Sequence, residues 1–296
     1  LLSILIPVYN YSVGSLVNEI DKQCLASDID YEIVVMEDGS TKHLTDNASL
    51  SSLPNVRYIY NQKNAGRAAI RNILADHAKF DWLLFLDCDS EIDQSYFIRR
   101  YLETKEVDVV YGGRKYLPQT DEDFLLHYTY GIEREAKDLN TRINDPHLHF
   151  QTNNFAIAKK VFQSVRFDES LTKYGFEDSL FAYDLKRHDI AVVHIENPIV
   201  HAGLDRTDDF LQKSRQATEN AWLLVQSGKI PAGEIRFTKK YSQIRKWQMQ
   251  RPMAAVLSVY EPYFIAYLKK SEPKIIYLDF LKLLWSHRIV SNTDKK

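Results

Sequence analysis

Apolar residues follow two rhythms along this chain. Short unbroken runs, rich in β-branched residues, occupy 2–8, Tyr31–Met36, Val56–Tyr60 and Trp82–Leu86. Between them lie segments with apolar residues at helical spacing. One covers 12–25 with Leu16, Val17, Ile20 and Cys24, and another covers 66–78 with Ile70, Ile73 and Leu74. The first rhythm predicts strands buried on both faces, and the second predicts amphipathic helices. A helix over 93–104 and a strand over 107–111 continue the series. Such alternation predicts an α/β fold, a Rossmann-like, mostly parallel sheet flanked by helices.

After residue 112 the rhythm loosens. The pattern predicts a helix over 122–139, a polar stretch over 140–149, a strand over 150–158, a helix over 178–188 and a strand over 190–195. A strand-like run at 197–200 and a long helix over 208–226 follow. From about 229 the chain is rich in Lys, Arg, Trp and Tyr, with helices predicted over 253–269 and 275–286. The expected organisation is one domain over 1–228, divided into halves 1–112 and 113–228, and a C-terminal helical extension over 229–296. The extension reads best as a helical flap that packs on the main domain or on another subunit, which would make a homodimer. Peripheral contact with an anionic membrane surface is the alternative, because its basic and aromatic residues are interleaved.

Ligands of parallel sheets bind at the carboxyl ends of the strands. Here those ends read Tyr9-Asn10, Glu37-Asp38-Gly39-Ser40 and Asp87-Cys88-Asp89. One polar strand end is an ordinary turn; three on one edge favour a site. The two carboxylates of Asp87-Cys88-Asp89 project the same way from an extended backbone. One could hold a divalent cation on a diphosphate while the other reaches ribose hydroxyls. Glu37-Asp38-Gly39 either offers a carboxylate to a base N–H or is a plain Asp-Gly turn. Arg67 opens a helix, whose start attracts anions, and Arg71 shares its face. Glu177 and Asp178 begin another helix, where an acid serves as a cap or, in a sugar pocket, as a general base. His201 follows a strand and is either a structural imidazole or a manganese ligand. His147 and His149 lie two apart with no third partner in sequence, which favours an acceptor-site or structural role.

Composition removes several classes. Hydrophobic residues make up 45% and charged residues 26% of the 296, values of an ordinary globular protein rather than a disordered or collagenous one. The net charge of -2 lacks the basic surplus of a nucleic-acid binder, so no nucleic-acid partner is expected. No apolar run has the length needed to cross a bilayer. Leu1–Ile6 has no basic residue ahead of it and runs into Pro7, so it reads as a strand and not a secretory leader. Cys24 and Cys88 have no metal-type spacing and read as small buried apolar residues. The location expected from these features is cytoplasmic, free or at the inner face of the membrane.

In order, Ser3-Ile4-Leu5-Ile6-Pro7-Val8-Tyr9-Asn10, Ile33-Val34-Val35-Met36-Glu37-Asp38-Gly39-Ser40, Asn64-Ala65-Gly66-Arg67-Ala68-Ala69-Ile70-Arg71-Asn72, Phe85-Leu86-Asp87-Cys88-Asp89 and Gly175-Phe176-Glu177-Asp178 resemble glycosyltransferase family 2. The resemblance covers about residues 1–205 and implies a GT-A fold. It implies an inverting glycosyltransferase of polysaccharide biosynthesis. Such an enzyme moves a hexosyl or N-acetylhexosaminyl group from a nucleotide-sugar, a UDP-sugar, to a hydroxyl of a glycan or lipid-linked acceptor. By the same resemblance Pro7, Val8, Tyr9, Glu37 and Asp38 hold the nucleoside, Arg67 lies near uracil and phosphates, Asp87 faces the ribose, and Asp89 binds Mn2+ or Mg2+. Asp178 matches the base, Glu177 aids acceptor binding, His201 suits a second metal ligand, and Gln151–Ala156 lines the sugar pocket. One departure is Glu37-Asp38 where the family has Asp-Asp. Two other readings use the same fold type. A sugar nucleotidyltransferase would carry a Gly-rich phosphate loop after the first strand, where this chain has Pro-Val-Tyr-Asn. A non-catalytic nucleotide-sugar-binding protein would not need Asp87, Asp89 and Asp178 together. A dinucleotide dehydrogenase would need a Gly-x-Gly-x-x-Gly turn, and no strand is followed by one.

Overall fold

Alternate residues of the long apolar runs go to opposite faces of a sheet, which is why the runs are unbroken. In a computed structural model, which describes residues 1–171 and 174–293, β1 (Leu2–Val8) sends Leu2, Ile4, Ile6 and Val8 into one core cluster and Leu5 into another. Strand β2 (Tyr31–Asp38) divides Ile33 and Val35 from Val34 and Met36 in the same way. The remaining strands are β3 (Val56–Asn61), β4 (Trp82–Leu86), β5 (Ser90–Glu91), β6 (Val109–Tyr111), β7 (Arg114–Lys115), β8 (Asn154–Ala158), β9 (Val193–His194) and β10 (Ile199–His201).

Seven strands form a mostly parallel sheet in the order β3-β2-β1-β4-β8-β6-β9, with β8 antiparallel to both β4 and β6. A second sheet has the order β5-β10-β7. Helices Gly14–Ala26 and Arg67–His77 bury their apolar stripes, Leu16, Val17 and Ile20 in one cluster and Ile70 and Leu74 in the other. The expected α/β architecture, a mostly parallel sheet flanked by helices, is therefore present. Cys24 is buried and Cys88 half-buried, and burial pushes both thiols up to about 12. They behave as apolar filler, as their spacing suggested.

The chain divides into two compact units. The first comprises Leu1–Leu117, Glu135–Thr172 and Glu177–Gly203 and holds both sheets. The second comprises Pro118–Arg134, Lys173–Phe176 and Leu204–Lys296. Its core gathers Leu126, Phe210, Trp222, Tyr241, Leu278 and Leu284, among others, from helices Thr207–Gln226, Arg236–Lys246, Gln250–Leu268 and Ile275–Thr293.

Several boundaries differ from the sequence expectation. The helix expected over 122–139 is instead a 3-10 turn Glu122–Phe124, a helix Leu125–Tyr130 and a π-turn Gly131–Glu135. The chain then restarts as helix Leu139–Asn144 inside the stretch read as merely polar, because the Asp138 carboxylate accepts from the N–H of Thr141 (2.9 Å) and caps it. The helix expected over 93–104 spans only Phe97–Leu102, the strand expected from 150 begins at Asn154, and the final helix runs to Thr293. Helix Arg236–Lys246 lies outside the expected helices; its apolar face is only Phe237, Tyr241 and Ile244, set among five Lys and Arg residues that mask the stripe in sequence.

Candidate active site

The chain runs from β1 to β2 and β3 on one side, then returns to place β4 on the other side of β1. The strand order reverses there, which is where sheets of this kind bind ligands, outside the carboxyl ends of the strands. Parallel register sets Val8 beside Glu37, bringing the first two polar ends together. Asn10 then ties them. At φ 53° it sits in the left-handed region that Asn tolerates, and its Oδ1 accepts from the N–H groups of Thr41 (2.8 Å) and Lys42 (3.1 Å). Of the first strand end, Val8 lies in the core, Pro7 is half-buried, and Tyr9 is exposed.

The acids closing β2 have different surroundings. Glu37 is fully buried and accepts from Asn47 Nδ2 at 2.7 Å. Asp38 accepts from the backbone N–H groups of Ala65 (2.7 Å) and Gly66 (3.1 Å), which fastens the loop that starts helix Arg67–His77. Gly39 is required at this turn: its φ is +72°, and a Cβ would stand 2.6 Å from the backbone nitrogen of Asn64. The helix thereby presents Arg67, exposed, and Arg71, buried. Arg71 Nη2 lies 2.6 Å from Asp87 Oδ1 just past β4.

Arg114, on β7, was not singled out from sequence, and it is the centre of the charged network. Its side chain is 13% exposed; Nη1 bonds Glu135 at 2.7 Å, and Nη2 approaches Asp87 Oδ2 to 4.0 Å. Tyr116 also donates to Glu135. The only local signal is Gly112-Gly113 directly after β6. A Cβ on Gly112 would come within 2.6 Å of the Tyr101 hydroxyl and of the Asn197 carbonyl, so that turn admits no side chain. Gln151–Ala156 contributes too: the Asn153 carbonyl accepts from the Asp87 N–H at 3.1 Å.

Asp89 meets His201 through the second sheet. β5 and β10 pair antiparallel with Ser90 opposite His201, and the Asp89 carbonyl accepts from the Ala202 N–H at 2.9 Å. Asp89 Oδ1 lies 3.4 Å from His201 Nδ1. Burial opposes charge on Asp89, yet the His201 ring and the charges of Arg114 and Arg67 outweigh it and hold the carboxyl down at about 2. Asp89 Oδ1 is buried, with only the long 3.4 Å approach of the His201 ring beside it, which leaves room for a cation between the two groups. A carboxylate beside an imidazole suits Mn2+; Mg2+ would rely more on the carboxylate and water. Among the described residues no group of three or more His, Cys, Asp or Glu gathers for a metal.

Glu177 and Asp178 begin helix Glu177–Arg187. Glu177 is buried, and its Oε1 lies 3.4 Å from Arg67 Nη1, joining this helix to the helix that follows the strand ends. Asp178 Oδ1 accepts from the Ser179 N–H at 2.7 Å. Burial, then the charges of Glu177 and Glu135, push the Asp178 carboxyl up to about 6 against the pull of Ser179 and Arg114. His147 Nε2 lies 2.9 Å from the Ile190 carbonyl, a backbone tie.

This arrangement can be set beside known proteins. The sequence profile described as Glycosyl transferase family 2 matches residues 3–166. A chondroitin synthase of Escherichia coli is 27% identical over 88% of this chain and 42% of its own length. A chondroitin synthase of Pasteurella multocida is 29% identical over 62% of this chain and 23% of its own length. The chain thus spans less than half of either relative. A mannosyltransferase from Pyrobaculum calidifontis, solved with GDP-Man and Mn2+, superposes with a TM-score of 0.63 at 14% identity, over 100% of this chain and 88% of that one. Glucosyl-3-phosphoglycerate synthase from Mycobacterium tuberculosis, solved with Mg2+ and UDP, gives 0.52 at 16% identity over 77% and 79%. At such identities the structural likeness speaks for the fold.

Proposed function

The chain belongs to glycosyl transferase family 2, and from that premise we propose that it moves a sugar from a UDP-sugar to a hydroxyl of a glycan acceptor, with inversion at the anomeric carbon. One observation carries the reading: the Arg67–Glu177 contact joins residues 110 apart and brings the helix start that bears Asp178 to the strand-end acids, where Arg114 acts on both Asp178 and Asp89.

We assign the nucleoside to Pro7, Tyr9 and Asp38, with Val8 and Glu37 beneath it, and the ribose to Asp87. Arg67 offers a guanidinium to the diphosphate. Asp89 and His201 would hold Mn2+ or Mg2+, and a bound cation would offset charge on the diphosphate. Asp178 accepts the proton of the acceptor hydroxyl. That oxygen forms its bond to the anomeric carbon as the bond to the UDP oxygen breaks, and the electron pair leaves with UDP. Glu177 positions the acceptor from the first turn of the same helix. A lipid-linked glycan fits the same chemistry as a free one.

A panel of UDP- and GDP-sugars with Mn2+, scored by nucleotide release with and without short glycan acceptors, tests this reading. UDP-sugars should turn over, and Asp178→Asn should lower transfer by roughly 10²–10⁴-fold with UDP affinity nearly unchanged. Turnover of GDP-sugars alone would overturn the uridine assignment, and a fully active Asp178→Asn would remove the base.

A further inference from the structure

Helix Gln250–Leu268 has two apolar faces. Its inner face buries Ala254, Leu257, Phe264 and Leu268 in the second unit's core. Its outer face carries Pro252, Val256, Val259, Tyr260, Tyr263 and Ala266, all exposed, at spacings of three and four. Val259 is 76% and Val256 57% exposed. No charged residue interrupts this stripe. Just before it, the turn after helix Arg236–Lys246 projects Trp247, 71% exposed, and Met249.

Charge decides what could cover the stripe. Residues 236–270 contain eight Lys and Arg and one acid, Glu261, a formal charge of +7 for the segment in a chain of net charge -2; of these cations, Lys269 is met by Asp208 at 2.6 Å. Glu261 is itself gripped by Arg288 at 2.8 and 2.6 Å. Lys246 and Arg251 stand at one end of the stripe and Lys270 at the other. A second copy packed on it, parallel or antiparallel, would set these cations against their like with no acid in the stripe to relieve them. An anionic bilayer surface satisfies every part. It takes the apolar stripe and Trp247 at its boundary and its headgroups meet the basic rim. No helix among the described residues is long and apolar enough to cross a membrane, so the helix would lie on the surface.

We infer that helix Gln250–Leu268 with the Trp247 turn docks this protein onto an anionic lipid surface. The inference is independent of the reaction proposed above. Sucrose-loaded vesicles of phosphatidylglycerol and phosphatidylcholine in equal parts, compared with phosphatidylcholine alone, test it by co-sedimentation. The protein should pellet with the anionic vesicles, and less so as salt rises. The emission of Trp247, the exposed one of the four tryptophans, should move to shorter wavelength on binding. The double variant Val256→Glu/Val259→Glu should bind at least about tenfold more weakly, with an unchanged thermal midpoint and unchanged UDP release. Failure to pellet, or equal binding by the variant, would overturn the inference. So would a lipid-free dimer, seen by light scattering, that the variant converts to monomer, because it would give the stripe to a second copy.

Discussion

At the scale of single residues, Asp178 and Arg114 make the sharpest predictions. A base must be deprotonated to work, and burial together with Glu177 raises the Asp178 carboxyl to about 6. kcat/KM should therefore fall as pH drops through about 6, roughly tenfold for each further unit. Glu177→Gln removes a neighbouring negative charge, so the acid limb should move to lower pH. A pH–rate profile with a wild-type limb at the ordinary carboxylate value would contradict this. Arg114→Met should leave Asp87 and Glu135 without their shared cation. Breaking a buried pair of this kind costs about 3–5 kcal/mol, which urea unfolding would read, while Arg114→Lys should recover part of it. Asp178 could be nominated from sequence only through the resemblance of Gly175-Phe176-Glu177-Asp178 to the family motif, because an acid at a helix start is by itself an ordinary cap. Arg114 could not, because an arginine after two glycines looks like any surface turn until the fold buries it.

At the scale of elements, strand pairing brings the two proposed metal ligands together. The short β5–β10 ladder sets Asp89 and His201 side by side although they are distant in the chain. Gly203 closes this element: a Cβ there would stand 2.4 Å from Asp89 Oδ2. Gly203→Ala should displace the Asp89 carboxylate and weaken Mn2+-dependent UDP binding about tenfold or more, with little change in metal-free binding, as calorimetry with and without the ion would show. Equal loss in both conditions would mean a general distortion. The sequence signalled β10 only as the end of an apolar run, and β5 not at all. A two-residue strand has no periodicity of its own, and its partner alone makes it a strand.

At the scale of the whole molecule, the sheet of the first unit is buried on both faces, and aromatic stacking fills one of them. Phe85 on β4 stacks on Phe155 at 4.8 Å and on Phe162 at 5.2 Å. Phe85→Ala should cost about 3–5 kcal/mol and lower the denaturant midpoint. Because Asp87 lies two residues beyond, it should also weaken nucleotide binding in the folded fraction. A loss below about 1 kcal/mol would mean that the cluster repacks.

Taken alone, the sequence determined the mostly parallel sheet, where its first strands fall along the chain and the acids at their ends. Those features arise from local causes: period-two and period-3.6 burial patterns, tight glycine turns and helix starts, each complete within a few residues. Only the tertiary structure decided that Arg114 lies between Asp87 and Glu135, that Asp38 fastens the Arg67 helix, and that helix Gln250–Leu268 leaves one apolar face uncovered. Each depends on which distant segment packs against which, and an apolar stripe in the sequence reads the same whether it faces a core or solvent.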